Sequence, residues 1–307
     1  MKVDRFNKEQ KSVFTIKNCT TVHGSECFLI LTDSANILID SGYGFCARQT
    51  ADKIRQFLGG KTLDYILLTH SHYDHAMGSA QIGLDFPDVK IVASEYCAKI
   101  LEKPTAREAI GKMDRSAARV YGFAPAEDLT AKLRVDKTVK DSEEFTLGEY
   151  TVRAVALPGH TKCCMGYYFV REKVMISCET IGLYAGIDDV LPGCLVGYRM
   201  TMDSCGKIRS LDMNEMLVSH SGMLYGNDIY RFLDKARNST EECMRFIVGA
   251  WKDGLDYNEI VEKFKEKYYS REIAQFYPEP ALLANLKAQI PMLIQECGNV
   301  QTDSDKG

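Results

Sequence analysis

The stretch "YILLTHSHYDHAMGSA" places three histidines and an aspartate within six residues. His70, His72 and His75 alternate with other residues, and Asp74 directly precedes the last of them. On one continuous helix these side chains would point in several directions, whereas a turn after a strand can direct them toward one point. Imidazole and carboxylate groups are common ligands of zinc and similar divalent metals. The spacing therefore predicts a metal site, with a polar loop as the alternative explanation.

Two of the other three histidines strengthen the metal interpretation. His160 in "LPGHT" and His220 in "VSHSG" each follow a predicted strand and lie in a glycine-containing turn. His23 precedes the first strong strand, and we expect it to be a turn or surface residue. Imidazoles at the ends of several strands, with carboxylates nearby, are the ligand set expected for a pair of divalent metals.

Composition and charge limit the function classes. The 307 residues are 45% hydrophobic and 26% charged, as in an ordinary globular protein. A formal net charge of −4 lacks the basic excess of a nucleic-acid binder, so we expect a small-molecule substrate and no nucleic acid. Neither a secretory signal nor an apolar run long enough to span a bilayer is visible, which predicts a soluble, cytoplasmic protein without a membrane partner.

The eleven cysteines follow no disulfide framework. They are odd in number and scattered along the chain, so reduced thiols are expected. The adjacent Cys163 and Cys164 have the composition of a metal-ligand or redox pair, but small buried side chains are the more frequent role of such cysteines. We therefore predict a structural role for this pair.

The elements around these residues alternate between strands and helices in the N-terminal half. Residues 26–40 predict a β-hairpin, residues 46–60 a helix that ends at a glycine pair, and residues 63–70 a buried strand. A strand over residues 89–94 leads to a helix capped by Ser94. Residues 104–128 predict a helical insertion with a loop, placed to border a substrate cleft.

The second half begins with successive strands and ends in long helices. Strands are predicted at residues 132–136, 143–148, 150–157, 165–170, 174–177 and 215–220. Two β-rich halves with helices outside each imply an α/β fold, a four-layer αββα sandwich whose strand ends converge on one edge. We predict this sandwich over residues 1–225 and a C-terminal helical module, covering the active-site mouth, over residues 226–307.

The order of the motifs resembles the metallo-β-lactamase superfamily over about residues 20–225. "HSHYDH" is followed by one histidine, then by the acid of "ISCETIG", then by a last histidine. The resemblance implies two metal sites that share the acid Glu179: one is formed by His70, His72 and His160, and the other by Asp74, His75 and His220. The superfamily usually has aspartate at the position of Glu179. The resemblance also implies that Asp40 of "LIDSG" lies behind the ligands and holds an imidazole in one tautomer.

The resemblance further implies hydrolysis by an activated hydroxide, with zinc as the default metal and iron or manganese as alternatives. Asp74 is the expected catalytic residue, which orients the hydroxide or moves its proton. The C-terminal helices are similar to those of glyoxalase II-type and quinolone-signal response thioesterases. We therefore expect hydrolysis of a thioester or a related carboxylic ester or lactone. A phosphodiesterase or nuclease, and a regulatory partner-binding protein, remain the alternatives.

Overall fold

Two six-stranded β-sheets lie face to face, and helices cover the outer face of each. The computed structural model describes residues 12–298 except residues 125, 187, 188 and 276. It describes residues 185 and 186 by their backbone only. This arrangement buries both faces of each sheet. The αββα sandwich predicted from the sequence is confirmed.

The first sheet contains the strands of the N-terminal half. In spatial order they are β1 (Thr15–Asn18), β2 (Phe28–Leu31), β3 (Asn36–Ile39), β4 (Tyr65–Leu67), β5 (Lys90–Ser94) and β6 (Lys137–Val139). The pairs from β1 to β3 are antiparallel, and the pairs from β3 to β6 are parallel. Parallel neighbours need long crossovers. These carry the helices α1 (Ala47–Leu58), α2 (Tyr73–Ala76), α3 (Gly78–Asp85), α4 (Glu95–Glu102) and α5 (Pro104–Val120).

Apolar spacing explains how the first helix packs. Ala47, Ala51, Ile54 and Leu58 recur at helical spacing, and all four are buried. Gly59 follows with φ of 58°, a left-handed conformation that glycine adopts without a Cβ clash. The helix predicted over residues 46–60 is confirmed.

The second sheet is built from the strands that follow. They are β7 (Glu144–Leu147), β8 (Tyr150–Ala156), β9 (Met165–Phe169), β10 (Val174–Ile176), β13 (Glu215–Val218) and β14 (Gly222–Tyr225). Between β10 and β13 in the chain, β11 (Leu183–Gly186) and β12 (Asp189–Leu191) form a separate two-stranded ribbon. The spatial order is β14-β13-β10-β9-β8-β7, and β10 pairs parallel with β13. Helix α6 (Tyr198–Arg209) lies between the ribbon and β13.

Alternating side chains divide the apolar core into layers. In β3, Ile37 and Ile39 pack between the two sheets with Tyr167 and Phe169 of β9, whereas Leu38 packs under the helices of the first sheet. This is the period of two that places successive strand residues on opposite faces. The sheets are thereby fixed face to face, and the strand ends that carry polar residues stay at one edge.

The C-terminal helices are α7 (Asn227–Lys252), α8 (Tyr257–Tyr268), α9 (Arg271–Ala274) and α10 (Glu279–Cys297). The first half of α7 packs Ile229 and Phe232 against the second sheet, and its second half packs against α8 and α10. Glu296 of α10 accepts hydrogen bonds of 2.7 and 3.0 Å from the N–H groups of Tyr198 and Arg199, which begin α6. Helix α7 therefore contributes both to the sandwich and to the predicted C-terminal module.

Other predictions about local structure had mixed outcomes. The strand predicted at residues 132–136 is wrong: a 3-10 helix covers Thr130–Lys132, and the strand β6 begins at Lys137. Ser94 caps α4 as predicted, and accepts from the N–H of Cys97 at 3.1 Å. Helix α5 confirms the helical part of the 104–128 insertion. Within the described residues, no helix combines the length and the apolar character needed to cross a membrane.

Candidate metal centre

All the predicted ligands lie at one edge of the two sheets, after the carboxyl ends of strands. His70 and His72 follow β4, and Asp74 and His75 lie in the short helix α2. The others follow strands β8, β10 and β13: they are His160, Glu179 and His220. The structure brings all seven residues together.

These residues form two groups that share one carboxylate. One group contains His70, His72, His160 and Glu179, and the other contains Asp74, His75, Glu179 and His220. Within each group the ligand atoms all lie within 4.8 Å of one another. Donor sets of imidazoles with carboxylates suit borderline divalent metals such as zinc.

Close nitrogen pairs indicate that cations belong here. His72 Nδ1 lies 3.1 Å from His160 Nε2, and His75 Nε2 lies 3.0 Å from His220 Nε2. Around a tetrahedral zinc with bonds of about 2.0–2.1 Å, neighbouring ligand atoms lie about 3.3 Å apart. Among the described residues, the buried Nε2 of His70 has no hydrogen-bond partner. The residues therefore fit a pair of divalent cations.

Glu179 directs one oxygen toward each group. Its Oε2 contacts His160 Nε2 and lies 3.8 Å from His70 Nε2. Its Oε1 contacts His220 Nε2 and lies 3.5 Å from His75 Nε2. Burial acts to raise the pKa of Glu179, but the charges of His160 and His220 outweigh it and hold the pKa well below its usual range. Glutamate, although longer than aspartate, thus has the geometry that bridging requires.

The charges around the histidines differ from one histidine to another. Burial lowers the pKa of His70 far below its usual range and lowers the pKa of His72 to about 4, so both offer lone pairs at neutral pH. Burial also disfavours charge on His75, but Asp74 and Asp40 outweigh it and raise the pKa of His75. The carboxylates therefore favour positive charge, which bound cations would supply.

The far nitrogens of the imidazoles are held by protein acceptors. Asp40 Oδ2 lies 2.8 Å from His75 Nδ1, and Asp40 in turn accepts from the N–H and the hydroxyl of Thr69 at 2.8 and 2.9 Å. His160 Nδ1 lies 3.0 Å from the carbonyl oxygen of Gly193. Such contacts orient each imidazole, and in the neutral ring they leave the nitrogen facing the centre as the one without a proton. Asp40 thus lies behind an imidazole, at the place that the resemblance implies.

Glu26 is a functional candidate that the sequence interpretation missed. Its Oε2 lies 2.9 Å from His220 Nδ1, and it also accepts from the N–H of Gly24 at 3.1 Å. Burial acts to raise the pKa of Glu26, but hydrogen bonds with His220 and His23 lower it to about 2. The available signal was an acidic residue at the start of the apolar run "CFLIL". Glu26 gives His220 the support that Asp40 gives His75.

Backbone geometry fixes these contacts. Asp40 and His220 both have positive φ, 53° and 59°, which is uncommon for residues with a Cβ. A Cβ on Gly193 would lie 1.9 Å from the carbonyl oxygen of Glu179, so only glycine allows this approach. Likewise, a Cβ on Gly78 would lie 2.1 Å from the carbonyl oxygen of Ser41. The loops that carry the ligands are therefore closely packed.

The 104–128 insertion packs beside the "HSHYDH" motif. The Asp114 carboxylate on α5 accepts from the N–H of Gly44 at 2.7 Å. Tyr121, just after α5, donates to the carbonyl oxygen of His23 at 2.9 Å. Tyr43 stacks on Tyr73, with ring centroids 5.7 Å apart. The insertion thus contacts segments next to the candidate metal centre.

The remaining candidate residues lie outside the two groups. The side chain of His23 is 78% exposed, as expected for a surface histidine. All eleven cysteines are free and buried. The Sγ atoms of Cys163 and Cys164 both lie 3.1 Å from the hydroxyl of Thr161, and the structural role of this pair stays a prediction.

Relatives of the chain share its domain and its fold. The protein ST1585 of Sulfurisphaera tokodaii, described as metallo-beta-lactamase fold-containing, is 28% identical over 208 residues, which are 64% of this chain and 72% of that protein. Its crystal structure matches 92% of this chain and 98% of its own with a TM-score of 0.57. The metallo-beta-lactamase family protein TTHA1429 of Thermus thermophilus has a TM-score of 0.62 at 16% identity, covering 92% of this chain and 93% of its own.

A hydrolase is also among the relatives. The hydroxyacylglutathione hydrolase of Brucella anthropi is 28% identical over 122 residues, 40% of this chain, and the match spans 35% of that enzyme's length. The model of the metallo-beta-lactamase superfamily matches residues 20–220, which contain every predicted ligand. Together with the two donor groups at the sheet edge, this match establishes that the chain belongs to the metallo-beta-lactamase superfamily.

Proposed function

We propose that this chain is a dinuclear metal-dependent hydrolase of thioesters or of related carboxylic esters or lactones. The observation that carries the proposal is the position of Glu179, whose two oxygens face two separate donor groups. A single metal would need only one of these groups. The shared carboxylate is the arrangement expected when two ions act on one substrate.

The donor groups name the residues that would hold the ions. His70, His72 and His160 would hold one, Asp74, His75 and His220 the other, and Glu179 both. When bound, two divalent ions supply a hydroxide nucleophile near neutral pH and stabilise negative charge on the attacked carbonyl. Zinc is the proposed metal, with iron or manganese as alternatives.

Asp74 is the proposed catalytic residue. Its side chain is 14% exposed, against 3% for Glu179, and its Oδ2 lies 3.5 Å from His75 Nε2. Asp74 therefore lies nearer the solvent side, where substrate and water arrive. Burial acts to raise the pKa of Asp74, but the charge of His75 lowers it, so the carboxylate is ionised and able to accept a proton.

Support for a thioester comes from the C-terminal helices and from a relative. Side chains of α8 and α10 line a pocket that reaches His160 and Glu179. This position fits the proposed role of residues 226–307 in covering the active-site mouth. The relative from Brucella anthropi is named for hydrolysis of hydroxyacylglutathione, which is a thioester. A small-molecule substrate and a cytoplasmic location complete the proposal.

A hydrolysis screen of the zinc-loaded, full-length chain tests the proposal. We expect turnover of acyl thioesters or lactones that a chelator abolishes and added zinc restores. His72→Ala and Asp74→Ala should each lower kcat/KM at least hundredfold, because each removes a proposed ligand. Lys112→Ala, which changes a surface residue of α5, is the control and should leave turnover unchanged.

Three results would contradict the thioesterase assignment in different ways. Turnover of bis(p-nitrophenyl) phosphate without turnover of thioesters would indicate a phosphodiesterase. A stoichiometric protein partner whose binding and biological effect survive His72→Ala and Asp74→Ala would indicate a regulatory role. Turnover that is unaffected by chelation would refute the metal-dependent mechanism itself.

A further inference from the structure

The candidate ligands accept rather than donate at the centre. Each of the imidazoles and carboxylates in the two groups offers a lone pair to a cation, so the atoms that face the ions give a substrate no hydrogen-bond donor. Attack on a carbonyl carbon places negative charge on the carbonyl oxygen, and donors that face this oxygen lower the barrier. A donor next to the centre would therefore add to the charge stabilisation that cations supply.

A small pocket joins the centre to the C-terminal helices. His160 and Glu179 line this pocket, together with three side chains that carry hydrogen-bond donors: Tyr277, Asn285 and Gln289. Its enclosed part has room for about one water-sized group. The pocket can therefore take a single oxygen atom of a substrate, but not an acyl chain.

The Tyr277 hydroxyl is the donor whose hydrogen is left for a substrate. The Asn285 amide donates to the hydroxyl oxygen, which leaves the hydroxyl hydrogen for another acceptor. In the part of the chain that the structure describes, no acceptor for this hydrogen is found. Gln289 differs, because its Nε2 donates to Cys243 Sγ at 3.8 Å.

Tyr277 is fixed in place between α9 and α10, and it is 8% exposed. Its N–H donates to the carbonyl oxygen of Ile273 at 2.9 Å, and its carbonyl oxygen accepts from the Tyr269 hydroxyl at 2.7 Å. Burial, and then the charges of Glu179 and Asp74, raise the pKa of Tyr277 well above its usual range, so the hydroxyl keeps its proton. A neutral donor that is held before the substrate arrives is what stabilisation of a transition state requires.

We propose that Tyr277 is a catalytic residue whose hydroxyl donates a hydrogen bond to the substrate carbonyl oxygen as negative charge develops there, and that Asn285 positions this hydroxyl. The inference rests on the proposed hydrolase function. The attacking hydroxide forms the new C–O bond, and the carbonyl electron pair moves onto the oxygen that Tyr277 holds. When this pair re-forms the carbonyl, the C–S bond breaks and a thiolate leaves. The proton of the new carboxylic acid passes to Asp74, and Tyr277 keeps its own.

Tyr277→Phe keeps the ring and removes the donor. Steady-state kinetics of the zinc-loaded, full-length chain with S-butanoyl-N-acetylcysteamine provide the first test. We expect kcat to fall about hundredfold, as is typical for the loss of one such donor, and KM to stay within threefold. Zinc content, measured by mass spectrometry, should stay unchanged. Tyr257→Phe, at an exposed tyrosine of α8, is the matched control and should leave kcat and KM unchanged.

Asn285→Asp tests the positioning role. The substitution replaces the amide donor by an acceptor, which would draw the Tyr277 hydrogen away from the carbonyl oxygen. We expect kcat to fall at least tenfold, and the double variant with Tyr277→Phe to fall no further than Tyr277→Phe alone, because both changes remove the same hydrogen bond. Circular dichroism melting verifies that each variant folds. Losses that multiply in the double variant would show that Asn285 does not act through Tyr277.

Binding of ketone analogues needs no turnover, so it distinguishes failure of this inference from failure of the proposed function. Butylthio-trifluoroacetone takes up hydroxide at its carbonyl and forms a tetrahedral anion, whereas butylthio-acetone stays a ketone. In calorimetry with the zinc-loaded chain, Tyr277→Phe should weaken binding of the fluorinated analogue at least tenfold and leave binding of the other within threefold.

The outcomes are assigned in advance. This difference in binding without any thioester turnover would refute the proposed thioesterase and keep the role of Tyr277. No binding of the fluorinated ketone, an affinity for it that Tyr277→Phe leaves unchanged, or a kcat that stays within threefold in this variant would overturn the assignment of Tyr277.

Discussion

Glu26→Gln tests whether the buried carboxylate behind His220 organises one half of the metal centre. Glu26 accepts at two sides: His220 Nδ1 lies 2.9 Å from Oε2, and His23 Nδ1 lies 3.2 Å from Oε1. Glutamine has only one accepting oxygen, so its NH₂ group must face one of these partners. The substitution also removes a negative charge that is 7% exposed. His220 thereby loses either its acceptor or the charge that orients it.

The expected loss follows from the role of such contacts. Replacing a group that orients a metal-ligating histidine typically weakens metal binding by about 10–100-fold, which is about 1.4–2.7 kcal/mol. The loss should fall on the group of Asp74, His75, Glu179 and His220, since Glu26 contacts none of the ligands particular to the other group. Competition with a chromophoric chelator, which resolves the two stepwise zinc dissociation constants, is the assay. We expect one of the two constants to weaken by this factor and the other to stay within threefold.

A matched control and a defined outcome make this prediction refutable. Glu241→Gln changes a partly exposed glutamate that pairs with Arg245 on α7, so both zinc constants should stay as in the unsubstituted chain. Circular dichroism melting verifies that Glu26→Gln folds. If the folded variant binds two zinc ions with both constants unchanged, Glu26 does not organise the centre and the reasoning is wrong.

Two further predictions concern the surroundings of the centre. Burial raises the pKa of Asp114 from 3.8 to about 6, against the N–H donors of Gly44 and Phe45. The folded chain therefore binds the carboxyl proton of Asp114 more tightly than the unfolded chain does, and the free energy of unfolding falls as the pH rises from about 4 to about 6. In urea unfolding, Asp114→Asn should stabilise the chain by about 2–3 kcal/mol at pH 7.5 and should not stabilise it at pH 3.5. Equal effects at the two pH values would refute this prediction. Gly193→Ala should lower zinc affinity at least tenfold, because its Cβ would displace Glu179, and an unchanged affinity would show that the loop adapts.

The alternation of strand residues predicted the sandwich, and the order of the motifs, through the resemblance to the metallo-β-lactamase superfamily, predicted the ligand set. Ile37, Leu38 and Ile39 alternate between layers as their spacing requires, and the histidines follow strands whose ends meet at one edge. The strand predicted at residues 132–136 was wrong because Leu133 and Val135 mimic a strand period in an irregular segment. Leu133 is buried under the helices of the first sheet, not in a strand. Local alternation does not distinguish these two cases.

Other features depend on contacts between distant parts of the chain. Glu26 and His220 are 194 residues apart, and no local pattern links them. The β11–β12 ribbon and α6 were not predicted either, although the ribbon lines the pocket that reaches His160 and Glu179. Helix α7 follows β14 directly, where the predicted module begins, yet its first half covers the second sheet. The boundary at residue 225 stays a prediction.

Metal analysis of the purified full-length chain tests the central claim most directly. The account places two divalent ions around Glu179, so mass spectrometry of the zinc-loaded protein should give about two ions per chain. His160→Ala and His220→Ala should each reduce this to about one, because each removes a ligand from a different group. Fewer than one ion per chain in the unsubstituted protein, or two ions retained in both variants, would contradict the dinuclear centre.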